Sequence, residues 1–314
     1  MRIVESAGRP APAYAAPQWS NHSSARMARD FLLWRHLRVV RARISRHLHR
    51  MAGNVLRRIA PGRQPRPAHT HYGVAMWPNW SDRTYAYCHY ATYGPYLADL
   101  IAGIDQPFCF LDIGANQGLF SLIAARNPAC AQIVALEPVP ATHERICANL
   151  ALAGFGARAT AINAGLSDEA GEHRITLNPV HSGQATLEDH LAEANPQCQQ
   201  ITVQLITMAE LESLLPPGLP LFVKIDVEGH EPVIIEELLA SSHANRVLGI
   251  FYEHDNRWTD NATIQRALYR AGFAQLRRYG RGRHFDVLAA PSPTPLPRIP
   301  AFEQGVAERR RHSA

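Results

Sequence analysis

Lysine is nearly missing from these 314 residues: Lys224 stands alone, and every other basic side chain is arginine. Cysteine is scarce and poorly spaced for partnership. The five, at 88, 109, 130, 147 and 198, are odd in number and include no Cys-x-x-Cys pair. That argues against a disulfide framework or a zinc ribbon and fits a reducing compartment. No apolar run approaches the roughly 18 residues of a membrane span, and the first residues lack the apolar core of a secretory signal. The expected location is therefore cytoplasmic. Internal repeats are also absent.

Acidic side chains are missing from one end. Residues 1–70 carry 14 Arg with only Glu5 and Asp30, a net +12, whereas 71–290 carry 14 basic and 23 acidic groups, a net −9. The formal net charge of +5 thus averages a basic arm with an acidic body. With 46% hydrophobic and 19% charged residues, the body can bury one sizeable core.

Four segments follow from composition. The arm, 1–70, begins with an Ala, Pro and Ser-rich stretch to about residue 25 that is expected to be disordered. From Arg29 to about Ile59, Leu33, Leu37, Val40, Ile44, Leu48, Met51 and Val55 recur at steps of three and four, with arginines between them, which predicts an amphipathic basic helix. Pro61–Pro67 reads as a linker. Residues 71–106 form an aromatic-rich lead-in or lid, and 291–314 a loose Pro/Arg tail. Between them, 107–290 alternates predicted strands and helices, so a mostly parallel sheet covered by helices on both faces is expected. Two alternating stretches, Glu172–Leu177 and Gln200–Ile206, interrupt that rhythm and flank a polar insert. A hairpin around Gly280-Arg-Gly282 closes the domain.

Parallel α/β sheets bind ligands beyond the carboxyl ends of their strands, at the point where strand order reverses. The first strand and turn read Phe-Leu-Asp-Ile-Gly-Ala-Asn-Gln-Gly, residues 110–118. Gly114 and Gly118 permit a tight turn and close approach of a ligand to the backbone. Asn116 sits where a dinucleotide fingerprint has its second Gly, and Asp112 just before the turn would repel a pyrophosphate. An acid there suits a ligand carrying a sulfonium and an ammonium, as S-adenosyl-L-methionine does. Glu137, ending the second strand, is placed to accept from ribose hydroxyls, and the loop Asn163–Asp168 would lie beside the adenine.

Five blocks resemble FkbM-type methyltransferases: FLDIGANQGLFSL (110–122), IVALEPVPATHERICANL (133–150), NAGLSDEAGE (163–172), VQLITMAELESLL (203–215) and VKIDVEGHEPVIIEELL (223–239). The resemblance implies the Rossmann-like class I fold, a seven-stranded sheet whose last strand runs antiparallel. It also implies methyl transfer from S-adenosyl-L-methionine, usually to a hydroxyl of a sugar or secondary metabolite. It implies nothing for residues 1–70.

Methyl transfer is an in-line displacement, so donor and acceptor must be aligned and the acceptor's proton handled. Phe222, Lys224 and Asp226 alternate to one face of the fourth strand, with Glu228, His230 and Glu231 following. His230 is the first choice for general base, with Glu228 and Asp226 behind it; helix capping is the bland alternative. Lys224 is expected to pair with Asp226 or a neighbouring carboxylate. Carboxylates ending strands four and five, Asp226 with Glu253 or Asp255, could hold Mg²⁺, but the motif does not demand a metal and none is favoured. Acceptor candidates are His181, Ser182 and Gly183 of the insert and the rings of Trp77, Trp80, Tyr85 and Tyr87, with packing of that aromatic segment as ordinary core or lid an equal alternative.

The expected partner is a small-molecule or glycan acceptor. For residues 29–59 three readings stand: docking on the acidic body or a dimer contact, peripheral contact with anionic lipid at the inner membrane face, and, least favoured, nucleic acid. Transfer to nitrogen of a small metabolite, or a non-catalytic binding protein tethered through its arm, are the alternatives to an O-methyltransferase.

Overall fold

The computed structural model describes residues 37, 39–49, 51–52, 66–185, 198–257, 261–280 and 282–291. The start (1–25), most of the Pro61–Pro67 linker and the tail after residue 291 lie outside the described residues.

Residues 37, 39–49 and 51–52 are helical. The chain then forms a small antiparallel pair, β1 (Ala68–His69) and β2 (Ala75–Met76), and two helices, Arg83–His89 and Pro95–Ala102. The α/β body comprises β3 (Phe108–Ile113), β4 (Cys130–Leu136), β5 (Ala159–Ile162), β6 (Gly165–Leu166), β7 (Gly171–Leu177), β8 (Gln199–Ile206), β9 (Leu221–Ile225), β10 (Val247–Asp255), β11 (Gln275–Tyr279) and β12 (His284–Ala290). Seven of these make the main sheet, in the order β11-β12-β10-β9-β3-β4-β5. Only β12 runs against its neighbours, so the hairpin through Gly280 and Gly282 inserts an antiparallel strand beside β10. This is the Rossmann-like architecture expected from the alternating pattern.

β3 and β9 are buried at every position, as central parallel strands covered on both faces must be. On one face Phe108, Phe110, Phe222 and Phe251 pack with the lead-in and with the helix Leu119–Arg126. On the other, Leu111, Ile113, Val223, Ile225 and Ile250 meet the helices Glu231–Ala240 and Asn261–Arg270. The two strands carry one charged residue each, Asp112 and Lys224, and these stand opposite one another in the β3/β9 register.

The two alternating stretches do not enter the main sheet. β7 and β8 pair antiparallel from Gly171↔Leu205 to Leu177↔Gln199, and β6 adds to β8 in parallel, giving a separate three-stranded sheet. Val139, Ile175, Val203 and Leu205 form its apolar side. Among the described residues no helix is long and apolar enough to cross a membrane.

Candidate functional site

Strand order reverses between β3 and β9, because the chain leaves β3 for β4 and β5 on one side and returns to β9 and β10 on the other. Gly114 turns there at φ +74, and a Cβ on it would lie 1.9 Å from the backbone oxygen of Asp226. Only glycine lets these two turns touch. Asn116 also adopts a left-handed conformation, at φ +50. Gly118, at φ +83, precedes the helix Leu119–Arg126 and abuts Ile146.

A cleft opens over this turn, at the carboxyl ends of β3 and β9. Gly114, Asn116 and Glu137 line its floor. The Glu137 carboxylate accepts from the backbone N–H of Asn116 at 2.9 Å and of Val139 at 3.0 Å. Burial outweighs those bonds and pushes its pKa up to about 7. Pro138, Leu166, Ile175 and Leu205 supply an apolar wall, the last three from the small sheet. The opposite edge joins lead-in to insert: the Gly183 N–H donates to Thr84 Oγ1 at 3.0 Å, and the Ser182 hydroxyl donates to Asn116 Oδ1 at 3.1 Å. His230 and Glu228 also face this cleft. His230 Nε2 lies 3.0 Å from Ser167 Oγ. Glu228 is held at φ +53, and burial, reinforced by Glu253, Asp226 and Glu231, pushes its carboxyl well above the usual range.

Behind the turn lies a buried ion trio. Lys224 is 3% exposed, with Nζ 3.3 Å from Asp112 and 3.5 Å from Asp226, and it donates to the Gly114 carbonyl at 2.7 Å. Burial alone would lower its pKa, but the carboxylates of Asp226 and Asp112 outweigh burial and raise it, so the ammonium stays charged. Asp112 also accepts from the Ser121 hydroxyl at 2.7 Å.

A second cleft opens on the other side of Asp226. Tyr93, Tyr96, Phe120, Phe251, Tyr279 and Phe285 wall it, and Lys224, Asp226, Glu253, His284 and Asp286 present its polar groups. Tyr93 and Asp226 belong to both clefts, and the Tyr93 hydroxyl donates to the Asp226 carboxylate. Glu253 and His284 form an ion pair at 2.6 Å. Burial, with Asp226 nearby, raises Glu253 to about 7, while its bond to Glu253 raises His284 to about 9.

Asp226, Glu228 and Glu253 can place oxygens within 4.8 Å of one another, whereas Asp255 is engaged by Arg257 at 2.5 Å. Of the residues expected to hold the cofactor, Gly114, Asn116 and Glu137 line the first cleft. Asp112, Gly118 and Asp168 line neither: Asp112 is committed to Lys224 and Ser121, Gly118 packs on Ile146, and Asp168 is exposed beside Ser167. Of the expected acceptor groups, Ser182 and Gly183 stand on the first cleft, and Trp77, Trp80, Tyr85 and Tyr87 line neither. Tyr85 is core, and Trp80 packs edge-on against it with centroids 4.9 Å apart.

Sequence reasoning passed over Tyr93, Tyr96 and Tyr279, and it passed over His284 and Asp82. Asp82 caps the helix Arg83–His89, accepting from the Thr84 N–H at 2.9 Å, the Ser182 N–H at 3.2 Å and Gln117 Nε2 at 2.6 Å. It thereby ties lead-in, insert and glycine turn together. An Asp before a helical run was the legible signal.

A model of the methyltransferase FkbM domain matches residues 112–280, more than half of the sequence. The chain belongs to the FkbM methyltransferase family. Methyltransferase sdnD of Sordaria araneosa is 41% identical to it over 82 residues, 26% of this chain and 31% of that protein. The chain thus matches about a third of the length of that curated relative. Among solved structures, the methyltransferase FkbM of Methylobacillus flagellatus KT is similar at 13% identity and a TM-score of 0.43, over 68% of this chain and 56% of that one. Precorrin-6y C5,15-methyltransferase of Geobacter metallireducens GS-15 is similar at 14% identity and a TM-score of 0.36, over 62% and 85%.

Proposed function

We propose that this FkbM methyltransferase uses S-adenosyl-L-methionine to methylate a hydroxyl of a sugar, glycan, glycolipid or secondary metabolite. The observation that carries the reading is the meeting of two clefts at Asp226 and Tyr93, one lined by the glycine turn and Glu137, the other walled by rings around acids. The first cleft fits the donor. Among the described residues its lining includes the acids Glu137, Asp226 and Glu228 and no Lys or Arg, which suits a cation better than a pyrophosphate. Glu137 would accept from the ribose hydroxyls, Pro138, Leu166 and Leu205 would pack on the adenine, and the backbone at Gly114 would approach the amino-acid portion. S-adenosyl-L-methionine, when bound, supplies a methyl group activated on a sulfonium.

The second cleft suits an acceptor with apolar faces and hydroxyl edges, because flat rings pack on the former and carboxylates accept from the latter. Lys224 holds Asp226 in place, and Asp226 orients the acceptor hydroxyl. We assign the proton to Glu253 rather than His230. Glu253 faces the acceptor cleft with a pKa near neutrality, as a general base requires, whereas His230 lines only the donor side. His284, charged at neutral pH, keeps the Glu253 carboxylate oriented.

The test is conversion of methyl-labelled S-adenosyl-L-methionine with a panel of hydroxylated acceptors, following S-adenosylhomocysteine and locating the new methyl by NMR. Methyl on oxygen is expected. Absence of cofactor binding by calorimetry overturns the reading, and methyl on nitrogen alone overturns its oxygen specificity. Exhaustive chelation should leave turnover intact; loss that Mg²⁺ restores would instead assign Asp226, Glu228 and Glu253 to a metal.

A further inference from the structure

The arm helix sits on the body by the side that its sequence marks as polar. Ala42 is fully buried against Ala86 and Tyr90. Around it, the Tyr90 hydroxyl donates to Ser45 Oγ at 2.5 Å, Arg46 Nη2 donates to the Ser81 carbonyl at 3.0 Å, and His49 stacks on Trp80 with centroids 4.0 Å apart and planes at 17°. At 3.6 residues per turn, 42, 45, 46 and 49 share one face. Leu37, Val40, Ile44, Leu48 and Met51 share the opposite face, and all five are exposed, by 38 to 59%. A stripe of large apolar side chains at steps of three and four, turned away from the core, is the reverse of a surface helix in a globular domain. Arg41 and Arg43 are exposed and flank the stripe on its two sides, Arg41 with its guanidinium 5.3 Å from the centroid of the Tyr90 ring. Residues 31–81 contain ten Arg and no Asp or Glu.

We propose that this face lies on a membrane whose surface is rich in anionic lipid. The two halves of the pattern select the occupant between them. Apolar side chains flanked by arginine match acyl chains beneath phosphate headgroups, with burial and electrostatic attraction adding. A second copy of the helix would satisfy the apolar stripe but bring arginines of both copies to the flanking positions with no acid to pair them. Nucleic acid would satisfy the arginines and leave five apolar side chains in water. The helix is already held by the body through its polar face, so it reaches the surface ordered and loses little conformational freedom on binding. The inference does not depend on the chemistry proposed above, because it concerns a different face and is read without turnover.

The test is co-sedimentation of the full chain with vesicles of phosphatidylcholine alone or with about one third phosphatidylglycerol, at low and at physiological salt. Binding is expected to the anionic vesicles and to weaken as salt rises. Ile44→Gln and Leu48→Gln, at positions 58% and 59% exposed, should each weaken it about tenfold while leaving cofactor binding unchanged. Arg41→Gln with Arg43→Gln should weaken the preference for anionic lipid. Equal sedimentation with and without vesicles overturns the proposal, as does binding that survives both apolar substitutions. Self-association abolished by Ile44→Gln in place of vesicle binding, or retention of RNA alone, would likewise overturn it.

Discussion

Replacing Lys224 with methionine keeps most of the side chain's length and deletes its charge, leaving Asp112 and Asp226 without a counter-ion. Asp112 is fully buried, so water cannot take over the lost contact. With Nζ at 3.3 and 3.5 Å, each ion contact corresponds to about 5 kcal/mol of attraction at an effective dielectric of about 20. Desolvation of the buried charges offsets much of this. What the substitution measures is therefore the cost of two carboxylates left close together without their cation, about 3–5 kcal/mol. That is a large fraction of the 5–15 kcal/mol typical of a folded domain. In urea titrations the midpoint should fall by about 1–2 M. Adding Asp112→Asn to Lys224→Met should recover about 1–3 kcal/mol, the signature of coupled neighbours. Lys224→Arg keeps the charge, but a planar guanidinium cannot reproduce a point charge placed 2.7 Å from the Gly114 carbonyl, so an intermediate loss is expected. A Lys224→Met variant within about 0.5 kcal/mol of the parent, with cofactor affinity unchanged, would refute the reasoning.

Glu137→Ala should weaken S-adenosylhomocysteine binding about ten- to a hundredfold in calorimetry, because it removes a charged acceptor from the cleft floor. Gly114→Ala should lower the melting temperature and impair cofactor binding; the left-handed backbone alone costs about 1–2 kcal/mol, and the clash with Asp226 adds to it. Glu137 and Glu231 are raised by burial from 4.5 to about 7, so each binds its proton more tightly folded than unfolded. Their contribution to stability is complete below about pH 4.5 and is lost as pH climbs through 7. Ligand-free protein should accordingly melt lower at pH 7.5 than at pH 5, with a smaller difference in Glu137→Gln. Turnover should rise with pH through about 7 as Glu253 loses its proton, and Glu253→Gln should abolish that limb along with most activity; a surviving limb would return the base to His230.

Much of this was readable in one dimension. The strands and helices from Phe108 onward show the period of their class, the 110–118 turn marks itself by its glycines, and Glu137 follows from its place after the second strand. Thr207 and Glu210 even spell the capping box that opens the short helix Met208–Glu212. Other contacts were not legible, for definable reasons. Asp112 looked like a ligand group because the local pattern placed it before the turn, but its side chain points to the face where β9 brings Lys224. The sequence left open whether the rings of the lead-in stack on a sugar or pack as core; Trp80 packs on the arm helix and on neighbouring aromatic side chains, and Tyr93 and Tyr96 line the cleft.

Sequence alone determined the class of fold, the glycine turn after the first strand and the division into a basic arm and an acidic body, because periodicity, glycine spacing and charge are local properties. Tertiary structure decided which carboxylates share Lys224, that Asp226 and Tyr93 stand between two clefts, and which face of the arm helix turns outward. A helical period says which side chains lie together on a face; it does not say which face finds a partner. That choice depends on contacts between residues distant in the chain, where Ser45, Arg46 and His49 met Tyr90, Ser81 and Trp80 and left the apolar stripe exposed.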